Sequence, residues 1–116
     1  MFEFRDITLS TNRSTLTARC PVDPGCPCFS GHFPDRPLLP AVIQLQMLET
    51  LMAAGTDWNV KINAGTALKF LQPVLPGELL DLRLEREDAS KIRFSLSSGG
   101  SLKSKGQLYV SGANHA

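Results

Sequence analysis

Residues 40–54 read PAVIQLQMLETLMAA, and this stretch decides the fold. It consists largely of good helix formers, with Pro40 suited to a first helical turn and Gly55 to a C-terminal stop. Its apolar residues surround almost the whole circumference, which is typical of a helix buried on nearly all sides. The sequence therefore predicts one central helix from Pro40 to Ala54.

The polar residues of this helix fall mainly on one stripe. At about 100° per residue, Gln46, Glu49 and Thr50 share the stripe and Val42 lies beside it. Gln44 points to the opposite side of the helix. Because a buried polar group needs a polar partner, we expect a polar group to face this stripe.

Strand patterns flank the helix on both sides. Before it, an imperfectly alternating run and a cleanly alternating run are separated by a short polar turn, which predicts an opening hairpin. After it, four more segments combine apolar and polar residues in the manner of strands. The six segments cover residues 2–9, 16–22, 62–70, 80–85, 91–96 and 102–110.

These strands present one apolar face and one charged face, which indicates antiparallel strands covered on one side only. A single apolar helix is the natural cover. The order of elements therefore predicts an α+β fold in which a long, curved antiparallel sheet wraps around one central helix.

Length and charge restrict the class of protein. A chain of 116 residues is the common size for one domain, so a single domain over residues 1–116 is expected. The formal net charge of +1 provides no strong field for nucleic acid or anionic lipid. The start has no basic, apolar leader, and no stretch approaches about 18 uninterrupted apolar residues. We expect a cytoplasmic protein.

Cysteine use argues against disulfides and metals. Cys20, Cys26 and Cys28 are an odd number in a chain without a secretion signal, and Cys26-Pro27-Cys28 has the wrong spacing for a CxxC motif. We interpret them as small apolar fillers near a loop, with a reactive thiol as the alternative. No ligand cluster or glycine-rich phosphate loop is present, so no metal or organic cofactor is expected.

The segment before the helix is rich in proline. Residues 21–40 contain six prolines and two glycines, a density that excludes long regular structure and predicts an ordered, irregular loop. Such loops often contain functional residues. His32 lies in this loop. Taken alone, a histidine there is more often structural than catalytic, because it can hydrogen-bond a backbone carbonyl and hold the turn.

Two motifs resemble one enzyme family. Residues 29–46 read FSGHFPDRPLLPAVIQLQ and resemble the active-site loop and helix of the FabA/FabZ-type β-hydroxyacyl-acyl-carrier-protein dehydratases; Gly31–Pro34, Pro37 and Pro40 match the family pattern. Residues 68–80, LKFLQPVLPGELL, resemble the strand, turn and strand that follow the helix in that family. The resemblance implies a hotdog fold and covers almost the whole chain.

The resemblance also implies residue roles. It makes His32 the base that removes the C2 proton of a 3-hydroxyacyl thioester, and a neutral imidazole suits that task. Backbone N–H groups near Ala41 and Val42 would polarise the thioester carbonyl at the positive end of the helix. The acyl thioester would lie against Gly31, Phe33, Pro40, Ala41 and Val42.

The chain departs from the family at two positions. Gln46 replaces the carboxylic acid, and a carboxamide has no proton to donate at neutral pH, although it can orient a hydroxyl or a water. Ala41 replaces the glycine at the helix start. Glu49 is one turn further along the same stripe and is the candidate replacement acid. The alternative is that Glu49 pairs with a basic group such as Lys69 or reaches solvent at a subunit interface.

Three functions follow from this comparison. The first is a dehydratase-like lyase acting on chains held by acyl carrier protein or coenzyme A. The run Pro40–Gln46 resembles the aryl-polyene branch of the family more closely than the housekeeping enzymes. The second is a hotdog thioesterase, which GHFP disfavours and which Gln46 and Glu49 leave open. The third is a non-catalytic acyl-binding subunit. The family resemblance implies at least a homodimer, and Arg36 and Lys69 are candidates for contact with an acidic carrier, with surface solvation as the alternative.

Overall fold

The computed structural model describes residues 2–25 and 39–112. Within them the chain forms one helix, α1, and six strands, β1 to β6. The bounds are α1 Ala41–Gly55, β1 Arg5–Leu9, β2 Thr15–Pro21, β3 Val60–Phe70, β4 Leu79–Arg86, β5 Lys91–Ser98 and β6 Ser101–Gly112. The predicted helix, the opening hairpin and the four later strands are all confirmed.

The strands form one antiparallel sheet in the order β1-β2-β4-β5-β6-β3. The strands β1 and β3 are therefore the two edges of the sheet among the described residues. The link between β5 and β6 is a two-residue turn at Gly99 and Gly100, whose φ angles are 58° and 84°. Both angles are positive, as the commonest two-residue hairpin turn requires, and glycine adopts them without strain.

The sheet has one buried face and one exposed face. Along β4, Leu82 and Leu84 are buried, whereas Asp81 and Arg83 are exposed. The helix lies on the buried face and adds Met47 and other apolar side chains to the core. Each large apolar side chain that is buried in this way contributes about 1.5–3 kcal/mol to folding. The α+β prediction, with strands covered on one side by a helix, is confirmed.

The prediction that the helix is buried on nearly all sides is wrong for the single chain. Val42 is 60% exposed, and one side of α1 is open to solvent. The exposed residues of that side are Ala41, Val42, Gln46, Thr50, Ala53 and Ala54. Alanine and valine look like core residues in a composition-based pattern, but only the opposite side of the helix packs on the sheet.

Much of the proline-rich segment lies outside the described residues. Gly31, His32, Phe33 and Arg36 fall there, as do Cys26 and Cys28. Cys20 is described: it is buried in the core on β2, and burial raises the pKa of its thiol. The interpretation of Cys20 as an apolar filler is confirmed.

In the described ranges, no helix is both long and apolar enough to cross a membrane. Over the same residues, no group of three or more histidine, cysteine or acidic side chains is placed to hold a metal ion.

Candidate functional site

The start of α1 presents backbone donors. Pro40 is the N-cap residue, with an extended conformation (φ −61°, ψ 151°), and its carbonyl oxygen accepts hydrogen bonds of 3.1 Å from the N–H groups of Ile43 and Gln44. The first N–H groups of a helix have no partner within the helix and lie at the positive end of its dipole. In α1 these groups belong to the first turn, where Ala41 and Val42 have exposed side chains. This turn is suited to bind a carbonyl or carboxylate oxygen.

The residue before Pro40 is held from two directions. Leu39 is buried, and its N–H donates to the carbonyl oxygen of Val74 at 2.8 Å. Its carbonyl oxygen accepts a hydrogen bond of 3.1 Å from Nε2 of Gln44. The chain is therefore fixed in position where it enters the helix.

The turn that contains Val74 is itself held to β6. Nζ of Lys103 donates to the carbonyl oxygen of Pro73 at 3.1 Å and lies 3.1 Å from Oε2 of Glu78. Oε1 of Glu78 accepts a hydrogen bond of 2.8 Å from the N–H of Leu75. Lys103 and Glu78 are both largely shielded from solvent, so salt screens this ion pair less than it screens an exposed pair.

The polar stripe of α1 borders a depression of about 310 Å³. It is lined by Gln46, Glu49 and Thr50 of the helix and by Phe2 from the N-terminal segment. The hydroxyl of Thr50 donates to the carbonyl oxygen of Gln46 at 2.8 Å, a local bond within the helix. The structure thus brings together Gln46 and Glu49, the two candidates for an acid or a hydroxyl-orienting group. Phe2 was not predicted to be near them.

Glu49 has a backbone partner that the sequence did not predict. Its Oε2 accepts a hydrogen bond of 3.0 Å from the N–H of Ile62 on β3, and its side chain is half-buried. Lys69 lies elsewhere, in a cleft lined by residues of the exposed sheet face. Among the described residues Glu49 therefore forms no ion pair with Lys69, which was one alternative for this carboxylate, and its described partner is the backbone of the edge strand.

That cleft measures about 340 Å³ and is mainly cationic. Its charged lining residues are Lys69, Arg83, Glu85, Arg93 and Lys105. Lys69 on β3 and Lys105 on β6 are directly opposite each other in the strand register, an arrangement of like charges that is unfavourable without an anion between them. Lys69 was predicted as a candidate contact for an acidic carrier, whereas Arg83, Arg93 and Lys105 were not, because their common position depends on strand register.

The predicted catalytic histidine lies outside the described residues. His32, Gly31 and Phe33 lie in residues 26–38, so their positions relative to α1 remain predictions. Of the predicted binding residues, Pro40, Ala41 and Val42 are described, and all three lie at the helix start.

A family comparison matches nearly the whole chain. The ApeI-like family model, described as ApeI dehydratase, matches residues 8–113. The chain belongs to the ApeI-like family. The match includes the whole of β2 to β6, α1 and the proline-rich segment before α1.

A curated relative shows similarity over a shorter region. The 3-hydroxyacyl-(acyl-carrier-protein) dehydratase FabZ of Novosphingobium aromaticivorans is 42% identical over 66 residues, which are 49% of this chain and 42% of the relative. The chain spans about half the length of the curated relatives it matches. This similarity supports a dehydratase-like protein, as the two sequence motifs predicted.

Two solved structures are similar over almost their full length. The dehydratase heterocomplex ApeI:P from Xenorhabdus doucetiae superposes with a TM-score of 0.83 at 21% identity, covering 96% of this chain and 98% of that one. An uncharacterised protein from Erwinia carotovora subsp. atroseptica superposes with a TM-score of 0.79 at 28% identity, covering 95% and 93%. These superpositions confirm the predicted hotdog fold for this member of the ApeI-like family.

Proposed function

We propose that this chain is a cytoplasmic, single-domain lyase that removes water from a (3R)-hydroxyacyl thioester to give the trans-2-enoyl thioester. Membership of the ApeI-like family and similarity to FabZ support this reaction class. The resemblance of the run Pro40–Gln46 to the aryl-polyene branch favours that pathway as the source of the substrate. The proposal treats residues 1–116 as one functional unit.

The observation that supports this proposal most directly is the open first turn of α1. Ala41 and Val42 are exposed, although the other side of the same helix is packed in the core. Elimination from a thioester develops negative charge on the carbonyl oxygen, and fixed backbone donors stabilise that charge without reorganisation. A helix start that is rigid and accessible meets this requirement.

In the proposed reaction, His32 removes the proton from C2 of the substrate. The electrons form the C2–C3 double bond, and the C3 hydroxyl leaves with one proton as water. The N–H groups of Ala41 and Val42 hold the thioester oxygen during this change. The proton for the leaving hydroxyl comes from Glu49 or from the histidinium itself, while Gln46 orients the hydroxyl.

The proposal is tested by supplying 3-hydroxyacyl and saturated acyl thioesters to the pure protein. Enoyl absorbance reports dehydration, and free thiol reports hydrolysis of the thioester. We expect enoyl formation without thiol release. Thiol release from both substrates would instead identify a thioesterase, and the dehydratase proposal would then be abandoned.

A second candidate function is a non-catalytic acyl-binding subunit. Gln46 occupies the position of the family acid, and one carboxylate oxygen of Glu49 accepts a hydrogen bond from the backbone of β3, a contact that suits a structural role for Glu49. The similar structure from Xenorhabdus doucetiae is a heterocomplex, which offers a precedent for unlike subunits. Tight acyl-thioester binding with neither enoyl formation nor thiol release would favour this candidate.

We propose acyl carrier protein as the donor of the acyl chain, with the cationic cleft as its docking surface. The support is charge complementarity: Lys69, Arg83, Arg93 and Lys105 line the cleft, and the carrier is acidic. Replacing Lys69 with glutamate is expected to lower kcat/KM for a carrier-borne substrate about fivefold, equivalent to about 1 kcal/mol, in low salt.

The same variant should leave kcat/KM unchanged for a coenzyme A or short-thiol substrate, which needs no docking surface. Lys61→Glu is the matched control, because Lys61 is an exposed lysine of the same strand that does not line the cleft. Equal losses in the Lys61 and Lys69 variants, or equal losses with both substrates, would contradict the docking role.

We propose that the chain forms at least a homodimer. β3 is an edge strand of eleven residues, and such long edges are normally paired or covered. Val42 on α1 and Phe70 on β3 are 60% and 44% exposed, so both the helix start and the edge strand present apolar surface that a second subunit could cover. Light scattering at micromolar concentration is expected to give at least twice the mass of the chain; a monomer would contradict this proposal.

A further inference from the structure

The inner side of α1 contains one polar side chain among apolar neighbours. Gln44 is 4% exposed and faces the sheet. In the next turns of the helix the buried residues are apolar and include Leu48 and Leu51. Burying an amide costs free energy unless its hydrogen bonds are made. A leucine at this position would fill similar space without that requirement, so the amide calls for a specific explanation.

Both ends of this amide are hydrogen-bonded within the described chain. The hydroxyl of Ser104 on β6 donates to Oε1 of Gln44 at 2.9 Å, and Ser104 is fully buried. Nε2 of Gln44 donates to the carbonyl oxygen of Leu39 at 3.1 Å. The amide therefore connects strand β6 to the peptide that precedes the helix. Its partner on β6 is 60 residues away in the sequence.

We propose that Gln44 is a positioning residue, which fixes the first turn of α1 relative to the sheet. Its bond to Leu39 sets the orientation of the Leu39–Pro40 peptide, and the bond from Ser104 sets the orientation of the amide. Together with the bond from Leu39 N–H to Val74, these contacts leave the helix start little freedom to tilt. This inference rests on the proposed function only where it assigns the N–H groups of Ala41 and Val42 to the thioester oxygen.

The same contacts fix Leu39, the residue at which the described chain resumes before the helix. Leu39 is seven residues after His32 in the sequence. A displacement of about 1 Å in a reacting geometry can cost on the order of 10²-fold in rate. Gln44 thus acts on the reaction through the residues that it places and not through contact with the substrate.

Three variants separate positioning from stability: Gln44→Leu, Ser104→Ala and the double variant. Gln44→Leu leaves the buried hydroxyl of Ser104 without its acceptor, so its melting temperature should fall. Gln44→Leu also leaves the carbonyl oxygen of Leu39 without its donor. The double variant removes the unpaired hydroxyl of Ser104 but not the unpaired carbonyl of Leu39, so it should regain part of the lost stability. Its melting temperature should therefore recover toward that of the wild type.

The catalytic readout should behave differently. We expect kcat to fall tenfold to a hundredfold in Gln44→Leu and to stay low in the double variant, because neither can donate to Leu39. KM should change little. Ser104→Ala keeps the bond to Leu39 and should lose less than Gln44→Leu. Recovery of kcat together with stability in the double variant would overturn the proposal, since a structural role alone predicts that recovery.

A readout without substrate separates this inference from the proposed function. The amides of residues 43 and 44 donate to the carbonyl oxygen of Pro40 and are the hydrogen-bonded amides of the first turn. Their hydrogen exchange should accelerate at least tenfold in Gln44→Leu and in the double variant, whereas residues 48–52 of the double variant should match the wild type. Unchanged exchange at the helix start would overturn the positioning role even if the enzyme is active. If the wild type neither binds nor converts acyl thioesters, the proposed function fails and the exchange result still decides the inference.

Discussion

Replacing Gln46 with glutamate is expected to raise the rate of enoyl formation by about 10²- to 10⁴-fold, the usual contribution of a positioned general acid. The position lies on the depression that it shares with Glu49 and Phe2, so an introduced carboxyl group would face the space in which the leaving hydroxyl is proposed to sit. Only the protonated carboxyl group can donate a proton, and an unperturbed glutamate carboxyl group has a pKa of about 4.3. The gain should therefore shrink as the pH rises.

The matched control is Gln72→Glu, which makes the same chemical change at an exposed position in the turn after β3. It should leave the rate at the wild-type value. The measurement is enoyl absorbance across a pH series for both variants and the wild type. No gain from Gln46→Glu at any pH, in the wild-type background and in the Glu49→Gln background alike, would contradict the interpretation of residue 46 as the vacant acid position.

A further variant tests whether Glu49 already supplies the acid. Glu49→Gln keeps a carbonyl oxygen that can accept the N–H of Ile62, so the contact with β3 is retained while the ionisable group is lost. If Glu49 is the acid, this variant loses enoyl formation in the wild-type background and Gln46→Glu restores it. If Glu49 only holds β3, the variant behaves as the wild type.

Replacing His32 with alanine is expected to reduce enoyl formation by about 10²- to 10⁴-fold, because removal of a positioned base leaves only binding and carbonyl polarisation. The comparison is best made in the Gln46→Glu background, where the starting rate should be highest. Affinity for a saturated acyl thioester should change little, since the helix start that is proposed to hold the carbonyl is untouched.

His115 provides the control, because the chain has two histidines and His115→Ala makes the same change in the other one. We expect full activity in that variant. Kinetics of both variants with one 3-hydroxyacyl thioester would measure the difference. Equal activity of His32→Ala and the unaltered protein would contradict the proposed base and, with it, the reaction class.

The fold could be predicted from local patterns because each pattern reflects a local physical rule. The alternation of Leu80, Leu82 and Leu84 with charged residues specifies which face of a strand is buried, and the structure confirms it. The helix formers of residues 41–55 specify α1 in the same way. These signals need no knowledge of the partner element, so they survive in a single sequence.

The site was predicted less completely because its contacts join distant parts of the chain. Gln44 was placed correctly on the side opposite the stripe, but its partner Ser104 is 60 residues away and carries no local signal. The bond from Ile62 to Glu49 depends likewise on how β3 passes the helix. The helix was predicted to be buried on nearly all sides because its composition is apolar. Composition does not show which of those apolar side chains pack on the chain's own sheet.

The bond between Glu49 and Ile62 has a consequence for any assembly through β3. It joins a side chain of the polar stripe to the backbone of an edge strand, so a shift of that strand moves the carboxylate, and a change in the carboxylate alters the strand. If association of subunits changes the affinity for the acyl ligand, then binding of the acyl ligand changes the association constant by the same factor, because the coupling free energy is reciprocal. In this molecule, self-association and ligand affinity are expected to be linked equilibria.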